Sequence, residues 1–334
     1  MRAFVTGLTG FVGPYLARRL ASRGFEVAGL GLHRGGTTQS NALPASVSVF
    51  STDIRDYAEL RSLLDEWRPD HVYHLAAISN VVTSFSDPRL TYDVNVGGSV
   101  NLFESLRELG LKPRIVHVST GHIYRSVRSG SLDENSEVSL LTPYAASKFM
   151  SEALARQSVE GYGFETMIAR PFNHIGPGQP PGFVCSDFAR QIAAIKLGRH
   201  EPLLRVGNLA PVRDFTDVRD TVEAYFEIAT KGTPGEIYNI CSDRPVSMQE
   251  IVAALCRLAG VQPRIEVDQA RLRPVESLSL YGNSDKLRAL GWQPHIPLEQ
   301  TLKDILDSWL AVLVEDREED DTSAPSAGRG TSHS

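Results

Sequence analysis

The chain has 334 residues, 42% hydrophobic and 22% charged, with a formal net charge of −6. That length suits one large domain or two unequal ones of ordinary globular composition, and the acidic balance argues against a dedicated nucleic-acid binder, which would show basic stripes. No apolar run reaches the roughly 18 residues that a membrane span needs, the first residues lack the basic and apolar regions of a signal peptide, and Cys185, Cys241 and Cys256 have no short paired spacing that would suggest a disulfide framework or a zinc site.

In chain order, residues 3–6 read as a short apolar strand. It is followed by Gly7-Leu8-Thr9-Gly10-Phe11-Val12-Gly13 and then by a helical pattern through Tyr15, Leu16, Arg19 and Leu20. Strand, glycine loop and helix are the layout of a dinucleotide site. The glycines let the backbone turn sharply beside a pyrophosphate, which rests on the helix N-terminus. The spacing is Gly-x-x-Gly-x-x-Gly rather than Gly-x-Gly-x-x-Gly, and Pro14 falls in the first helical turn, where a missing N–H costs little.

Residues 25–30 read as a second strand. An NAD site usually places a carboxylate after it for the ribose hydroxyls; this chain has Leu30-Gly31-Leu32-His33-Arg34. Arg34 can meet a 2′-phosphate bidentately, which favours NADP over NAD. The alternative is that Arg34 is a solvated loop residue. Residues 47–50 form a third strand with Asp53-Ile54-Arg55-Asp56 at its exit. Asp53 can accept from an adenine amino group, or it can cap the helix that starts near Tyr57. His71-Val72-Tyr73-His74-Leu75-Ala76-Ala77 is a fourth strand ending in small side chains that let a cofactor lie close; His71 and His74, three apart on a strand, point to opposite faces and are not metal ligands.

A helix is expected from Asn95-Val96-Gly97-Gly98 toward Leu109. Residues 114–120 form a fifth strand ending in Ser119 and Thr120, and hydroxyls at that end of a doubly wound sheet face the ligand crevice. Thr142-Pro143 then opens a helix carrying Tyr144-Ala145-Ala146-Ser147-Lys148. Residues four apart share a helix face. A free phenol has a pKa of roughly 10, and a nearby ammonium stabilises the phenolate and draws that value toward the working range. A solvated amphipathic face is the commoner reading of such a pair alone. Its weight comes from the order of glycine loop, hydroxyl strand and Tyr-x-x-x-Lys helix.

From its start to about residue 312, the chain resembles the extended short-chain dehydrogenase/reductase family, whose members act mostly on nucleotide sugars. The resemblance assigns Thr120, Tyr144 and Lys148 as the catalytic group. It assigns Gly7, Thr9, Gly10, Phe11, Val12, Gly13, Arg34, Asp53, Ile54, Leu75, Ala76, Ala77 and Pro171 to an NADP site, with NAD possible, and has Tyr144 and Lys148 touching the same cofactor. Within the family, Ala169-Arg170-Pro171-Phe172-Asn173-His174-Ile175-Gly176-Pro177-Gly178-Gln179 is similar to the corresponding stretch of GDP-6-deoxy-D-mannose reductases. Arg190-Gln191-Ile192-Ala193, Arg213-Asp214-Phe215-Thr216-Asp217-Val218, Tyr238-Asn239-Ile240-Cys241-Ser242 and Ala270-Arg271-Leu272-Arg273-Pro274-Val275-Glu276 point the same way.

The resemblance implies a GDP-sugar bound by Ser79, Thr120, Asn173, Arg213, Arg273 and Glu276, with arginines on the two phosphates. It also implies a cytoplasmic homodimer, with no nucleic acid, membrane or metal involved. The 4,6-dehydratases similar to this chain carry acidic residues just after the catalytic threonine to move the C5 proton. Here Gly121 and His122 stand there. The implied reaction is reduction of the C4 ketone of GDP-4-keto-6-deoxy-D-mannose; dehydration or 4-epimerisation of a nucleotide sugar is the alternative.

The expected fold is α/β: a Rossmann-type doubly wound parallel sheet of about seven strands with a smaller, interleaved C-terminal substrate lobe. Residues 1–170 would form the cofactor domain, with returning segments near 206–241, and residues 171–312 would form most of the lobe. The charged and polar stretch 315–334 would be a disordered tail.

Overall fold

The structure, a computed structural model, describes residues 1–32, 43–127, 130–272 and 279–323, with side chains as far as 315. Its strands are β1 (Arg2–Thr6), β2 (Glu26–Leu30), β3 (Ser48–Phe50), β4 (His71–His74), β5 (Arg114–Val118), β6 (Glu165–Pro171), β7 (Asn173–Ile175), β8 (Leu203–Val206), β9 (Val212–Asp217), β10 (Ile237–Ile240), β11 (Pro245–Ser247), β12 (Arg264–Val267) and β13 (Ser279–Leu280). Seven of them form one sheet in the order β10-β6-β5-β4-β1-β2-β3, every pair parallel. This is the doubly wound order, and it reverses direction beside β1 and β4. Ligands of such sheets bind outside the carboxyl ends of the strands at that point.

The inner strands are apolar because helices cover both faces. On one face, Leu16, Ala17 and Leu20 of helix Gly13–Ser22 pack with Val222, Tyr225 and Ile228 of helix Val218–Lys231. On the other, Leu60 and Leu64 of helix Tyr57–Trp67 meet Leu102, Phe103 and Leu106 of helix Gly98–Glu108, and Ala155 of helix Pro143–Tyr162 closes the layer. A third apolar cluster lies apart from the sheet, built on helices Val184–Lys196, Met248–Ala259 and Leu298–Ser323. The chain passes between these bodies more than once: β10 lies beside β6 in the large sheet, whereas β9 pairs with β7, β11 and β13 in a small one.

Three local expectations change. Asp56, not Asp53, caps the helix at Tyr57, its side chain accepting from Glu59 N–H at 3.1 Å. The helix expected from Asn95 begins two residues earlier, as a π-helical turn over Asp93–Gly97. The last helix takes in residues 315–323, the first part of the stretch expected to be a tail, because Leu302, Ile305 and Leu306 anchor its first turns in the third cluster. Residues 324–334 lie outside the described residues.

Candidate active site

β1 delivers the chain into the glycine loop at the reversal point. Gly7 has φ +74°, and a Cβ there would stand 2.9 Å from the backbone nitrogen of Ala76. A Cβ on Gly13 would fall 2.1 Å from the Leu8 carbonyl oxygen. Neither position tolerates a side chain. The helix that follows has Val12 at its N-cap with no side-chain cap, and Pro14 in its first turn. Its leading N–H groups are thus left for a ligand or solvent, and the helix dipole favours an anion there. A glycine loop packed too closely on backbone to take a Cβ, leading into an uncapped helix start, fits a dinucleotide pyrophosphate.

The neighbouring positions close round this cradle. Leu75, Ala76 and Ala77 follow β4 half-buried, and Ala76 N–H donates to Thr6 Oγ1 at 3.1 Å. Phe11 lies parallel to the His174 ring with centroids 6.2 Å apart, and Tyr15 donates its hydroxyl to the Pro177 carbonyl at 2.8 Å. The loop and its helix are therefore joined to the segment after β6, where Pro171 ends the strand. Ile54 is buried against Gly98, while the Asp53 carboxylate already receives Arg55 through Nε at 3.1 Å and Nη2 at 2.7 Å. An adenine would share that carboxylate with Arg55. Arg34, Arg273 and Glu276 lie outside the described residues.

Thr120, Tyr144 and Lys148 come together at the ends of β5 and of the helix Pro143–Tyr162. Thr142 caps that helix, accepting from Ala145 N–H at 3.0 Å, and Pro143 begins it. Tyr144 and Lys148 lie on its buried face, and Tyr144 hydrogen-bonds the Thr120 hydroxyl. The phenol differs from expectation. Burial pushes its pKa up, and the opposing pull comes from the Thr120 hydroxyl rather than from Lys148. Lys148 is itself held down to about 8 by burial, opposed by the Glu152 carboxylate. The physical reason is common to both: each group is almost wholly removed from water, which disfavours the charged form of each. Without bound cofactor, Tyr144 is a protonated phenol.

Beneath the pair runs a hydrogen-bond chain that sequence reasoning missed. The Asn95 side chain, in the π-helical turn, accepts from Ile78 N–H at 2.7 Å and donates to Ile78 C=O at 3.1 Å and to Ser147 Oγ at 2.9 Å. Ser147 Oγ in turn donates to the Tyr144 carbonyl at 2.8 Å. Ser99 Oγ donates to the Asn95 carbonyl at 2.7 Å and faces His74 Nε2 at 2.9 Å; His74 Nδ1 is 2.8 Å from Thr6 Oγ1. One buried path thus links the exit of β1 to the turn that carries Tyr144. The available signal was a run of small polar residues at helical spacing, Asn95 and Ser99, followed by Ser147 within the Tyr-x-x-x-Lys motif. A π-helical insertion often marks a functional site.

On the far side of the crevice, Asn173 Nδ2 donates to the Asp214 carbonyl at 3.1 Å, and Arg213 Nη1 donates to the Val212 carbonyl at 2.8 Å. The pairing of β7 with β9 sets Asn173 opposite Phe215, two residues along the strand from Arg213. Ser79 lies exposed in the segment after β4. Asp214 is buried, and burial pushes its carboxyl up to about 6 although Ser242 donates to it through N–H and Oγ at 2.6 and 2.7 Å. Next to Thr120, a Cβ on Gly121 would sit 3.0 Å from the Phe172 ring, which is itself buried against Tyr124. His122 follows, its ring edge-on to Tyr144 with centroids 6.2 Å apart.

The family model for GDP-mannose 4,6 dehydratase matches residues 4–305. The chain is 36% identical over 313 residues to a GDP-6-deoxy-D-mannose reductase of Pseudomonas aeruginosa, covering 92% of this chain and 97% of that protein. Among solved structures, that of RMD from Pseudomonas aeruginosa complexed with NADPH aligns with a TM-score of 0.80 at 32% identity, over 93% of this chain and 99% of that one. The UDP-glucose 4-epimerase of Thermus thermophilus, in complex with NAD, aligns with a TM-score of 0.83 at 30% identity, over 92% and 99% of the two chains. With its doubly wound sheet and its crevice at the reversal point, the chain belongs to the GDP-mannose 4,6-dehydratase family of the extended short-chain dehydrogenases/reductases.

Proposed function

We propose that this protein is an NAD(P)H-dependent oxidoreductase that reduces the C4 ketone of GDP-4-keto-6-deoxy-D-mannose to GDP-6-deoxy-D-mannose, with NADPH as the preferred cofactor. The observation that carries the reading is a proton donor with no carboxylate at the two positions after Thr120. Tyr144 is kept protonated by burial and held by Thr120, while at the next position Phe172 occupies the space a side chain on Gly121 would need. A 4,6-dehydratase has to remove and return a C5 proton; Gly121 has no proton to move, and His122 is a poor match for a carboxylate base. The similar reductase and the NADPH-bound neighbour support the same reading.

Bound NADPH would supply the hydride to C4. The chain's own residues do the rest. Amide groups at the start of helix Gly13–Ser22 hold the pyrophosphate, with Gly7, Gly10 and Gly13 letting it approach. Thr120 donates a hydrogen bond to the ketone oxygen, and Tyr144 gives its phenolic proton to that same oxygen. Lys148, one turn along the helix, compensates the charge left on the phenolate, so its effect falls on the product side of the proton transfer. Asn173 and Arg213, with Arg273 and Glu276, bind the GDP-sugar from the smaller lobe formed mainly by residues 171–312, and Ser79 meets it from the sheet side.

A reductase consumes one reduced nicotinamide per turnover, whereas a dehydratase or a 4-epimerase regenerates its own. Incubation of the protein with the keto-sugar and NADPH therefore decides the matter: cofactor absorbance falls in proportion to product for the reductase, whereas a 4,6-dehydratase, whose own product is the keto-sugar, and a 4-epimerase, which needs a C4 hydroxyl, leave the cofactor unconsumed. The protein is further proposed to act in the cytoplasm as a homodimer. No helix among the described residues is long and apolar enough to cross a membrane. The helices flanking the catalytic pair carry the exposed apolar side chains Val82, Phe85, Val100 and Met150, suited to self-association.

A further inference from the structure

The chain leaves β5 after Val118. The register with β4 ends at His117 and that with β6 at Val118, and one further ladder bond, from Ser119 N–H to the Ala169 carbonyl at 2.7 Å, precedes Thr120. Thr120 then opens the short turn Gly121–Ile123, its hydroxyl accepting from His122 N–H at 3.2 Å, and Tyr124 closes that turn. The stretch that presents Thr120 therefore lies beyond the paired part of the sheet.

Both ends of that stretch are fastened to one buried ion pair. Arg170, on β6, and Glu152, on helix Pro143–Tyr162, have side chains only 3% and 1% exposed. The guanidinium donates to the carboxylate through Nε at 3.0 Å and Nη2 at 2.6 Å. At the near end, Ser119 Oγ donates to Glu152 Oε2 at 2.9 Å, the same oxygen that takes Arg170 Nε. At the far end, Arg170 Nη1 donates to the Tyr124 hydroxyl at 2.8 Å, and that hydroxyl donates to Asn239 Oδ1 at 2.8 Å. Thr120, Gly121, His122 and Ile123 span the interval between the two fastenings.

A buried ion pair is a poor device for stability alone, since two desolvated charges commonly add no more than a well-packed apolar pair of the same volume. What this pair supplies is direction. The guanidinium is a rigid fork, and its hydrogen bonds to a carboxylate are short and charge-assisted. A single backbone bond at Ser119 is a pivot; a second bond from its side chain fixes an orientation. We propose that Glu152 and Arg170 are positioning residues: their pair clamps residues 119–124 at both ends and so fixes the Thr120 hydroxyl where it meets the ketone oxygen. This rests on the reading of Thr120 as the partner of that oxygen.

The test removes each fastening while leaving the ion pair in place. Ser119→Ala and Tyr124→Phe delete one hydroxyl each. Ser158→Ala is the control: that buried hydroxyl lies on the same helix as Glu152, donates to the Ala155 carbonyl at 2.7 Å and stands 2.9 Å from Thr166 Oγ1, toward the other end of the strands, where Thr166 is opposite Ile115. In the full chain labelled at threonine γ-methyl groups, the Thr120 resonance is identified by its loss in Thr120→Ser. Its carbon shift, which follows the side-chain rotamer, and its order parameter should change in Ser119→Ala and in Tyr124→Phe and stay at the wild-type values in Ser158→Ala. With the keto-sugar, the two clamp variants should lose about tenfold in kcat with NADPH affinity kept, whereas Ser158→Ala should keep its kcat although it melts at a lower temperature. Arg170→Lys keeps the charge but lacks the fork, and it should reproduce both changes; if it folds poorly, the hydroxyl variants carry the test. The methyl readout needs no substrate, so it decides the positioning role even where the wild type leaves the keto-sugar unreduced, a result that would sink the assigned reaction instead. An unmoved Thr120 methyl in either clamp variant, a wild-type kcat in both, or a Ser158→Ala variant as impaired as they are would overturn the proposal.

Discussion

His74 and His117 face each other across β4 and β5, in register and with ring centroids 5.2 Å apart. Ser99 Oγ donates to the Asn95 carbonyl and so accepts from His74 Nε2, and His74 Nδ1 accepts from Thr6 Oγ1. This assigns His74 as the neutral Nε2–H tautomer. His117 directs Nε2 at Ser151 Oγ, 3.1 Å away, and Ser151 Oγ donates to the Lys148 carbonyl at 2.9 Å. The floor of the site is thus two uncharged imidazoles with a buried ammonium nearby.

That floor makes the fold sensitive to acid. Burial lowers the His74 pKa to about 3, with Lys148 a second, smaller cause, and His117 is lowered in the same way. A histidine whose folded pKa lies below its unfolded value of roughly 6.5 contributes stability that is fully present above that value. The contribution is lost as pH falls toward the folded value, here between about pH 6.5 and about 3, and for His74 it is on the order of 5 kcal/mol. Urea unfolding midpoints should fall steeply across this window. In His74→Asn the protein should be less stable at pH 8, with a visibly shallower slope below pH 6.5.

Gly13→Ala should remove cofactor binding and lower the melting temperature together. The new Cβ would lie 2.1 Å from the Leu8 carbonyl oxygen, so the backbone of the glycine loop has to move. Tryptophan-to-NADPH energy transfer and thermal melts read the two effects. An unchanged NADPH affinity would show that the loop is not the pyrophosphate cradle.

Asn95→Ala should cost about 2–4 kcal/mol, three buried hydrogen bonds at their usual net worth with partners left unsatisfied. It should also lower kcat more than it raises KM, because Ser147 then loses the group that fixes it against the Tyr144 carbonyl. Denaturant melts and steady-state kinetics separate the two effects.

Gly121→Ser should destabilise by about 1–3 kcal/mol through overpacking, since Phe172 is buried between this position and Gly282 and has little room to retreat. It should not confer exchange of the C5 proton with solvent deuterium, read by mass spectrometry of the sugar.

The large sheet and its ligand crevice were legible because each part has a short-range signal. The strands are apolar runs, the glycine loop has a fixed spacing, and the Tyr-x-x-x-Lys helix opens on Thr142-Pro143. The supporting shell was not legible. Asn95, Ser99, His74 and Glu152 meet partners such as Ser147 and Arg170 across the fold, and small polar residues at helical spacing do not say which partners those are. The charge balance at Tyr144 was misjudged for a similar reason. Helical spacing puts an ammonium near the phenol, but it says nothing of how completely both are removed from water, and here burial outweighs the neighbouring charge. The helical stretch 315–323 was missed because its composition is that of a tail, while its anchor lies in the preceding turns.

The central claim is that the buried phenol of Tyr144 gives its proton to a ketone that receives hydride from NADPH. It is tested most directly by following NADPH absorbance and sugar product together, with GDP-4-keto-6-deoxy-D-mannose as substrate, for the wild type and Tyr144→Phe. The account predicts equal amounts of NADPH consumed and product formed, and a loss of about 10²–10⁴-fold in kcat for Tyr144→Phe with NADPH affinity kept. Keto-sugar left unreduced with no loss of NADPH, or a Tyr144→Phe variant that turns over at the wild-type rate, would contradict it.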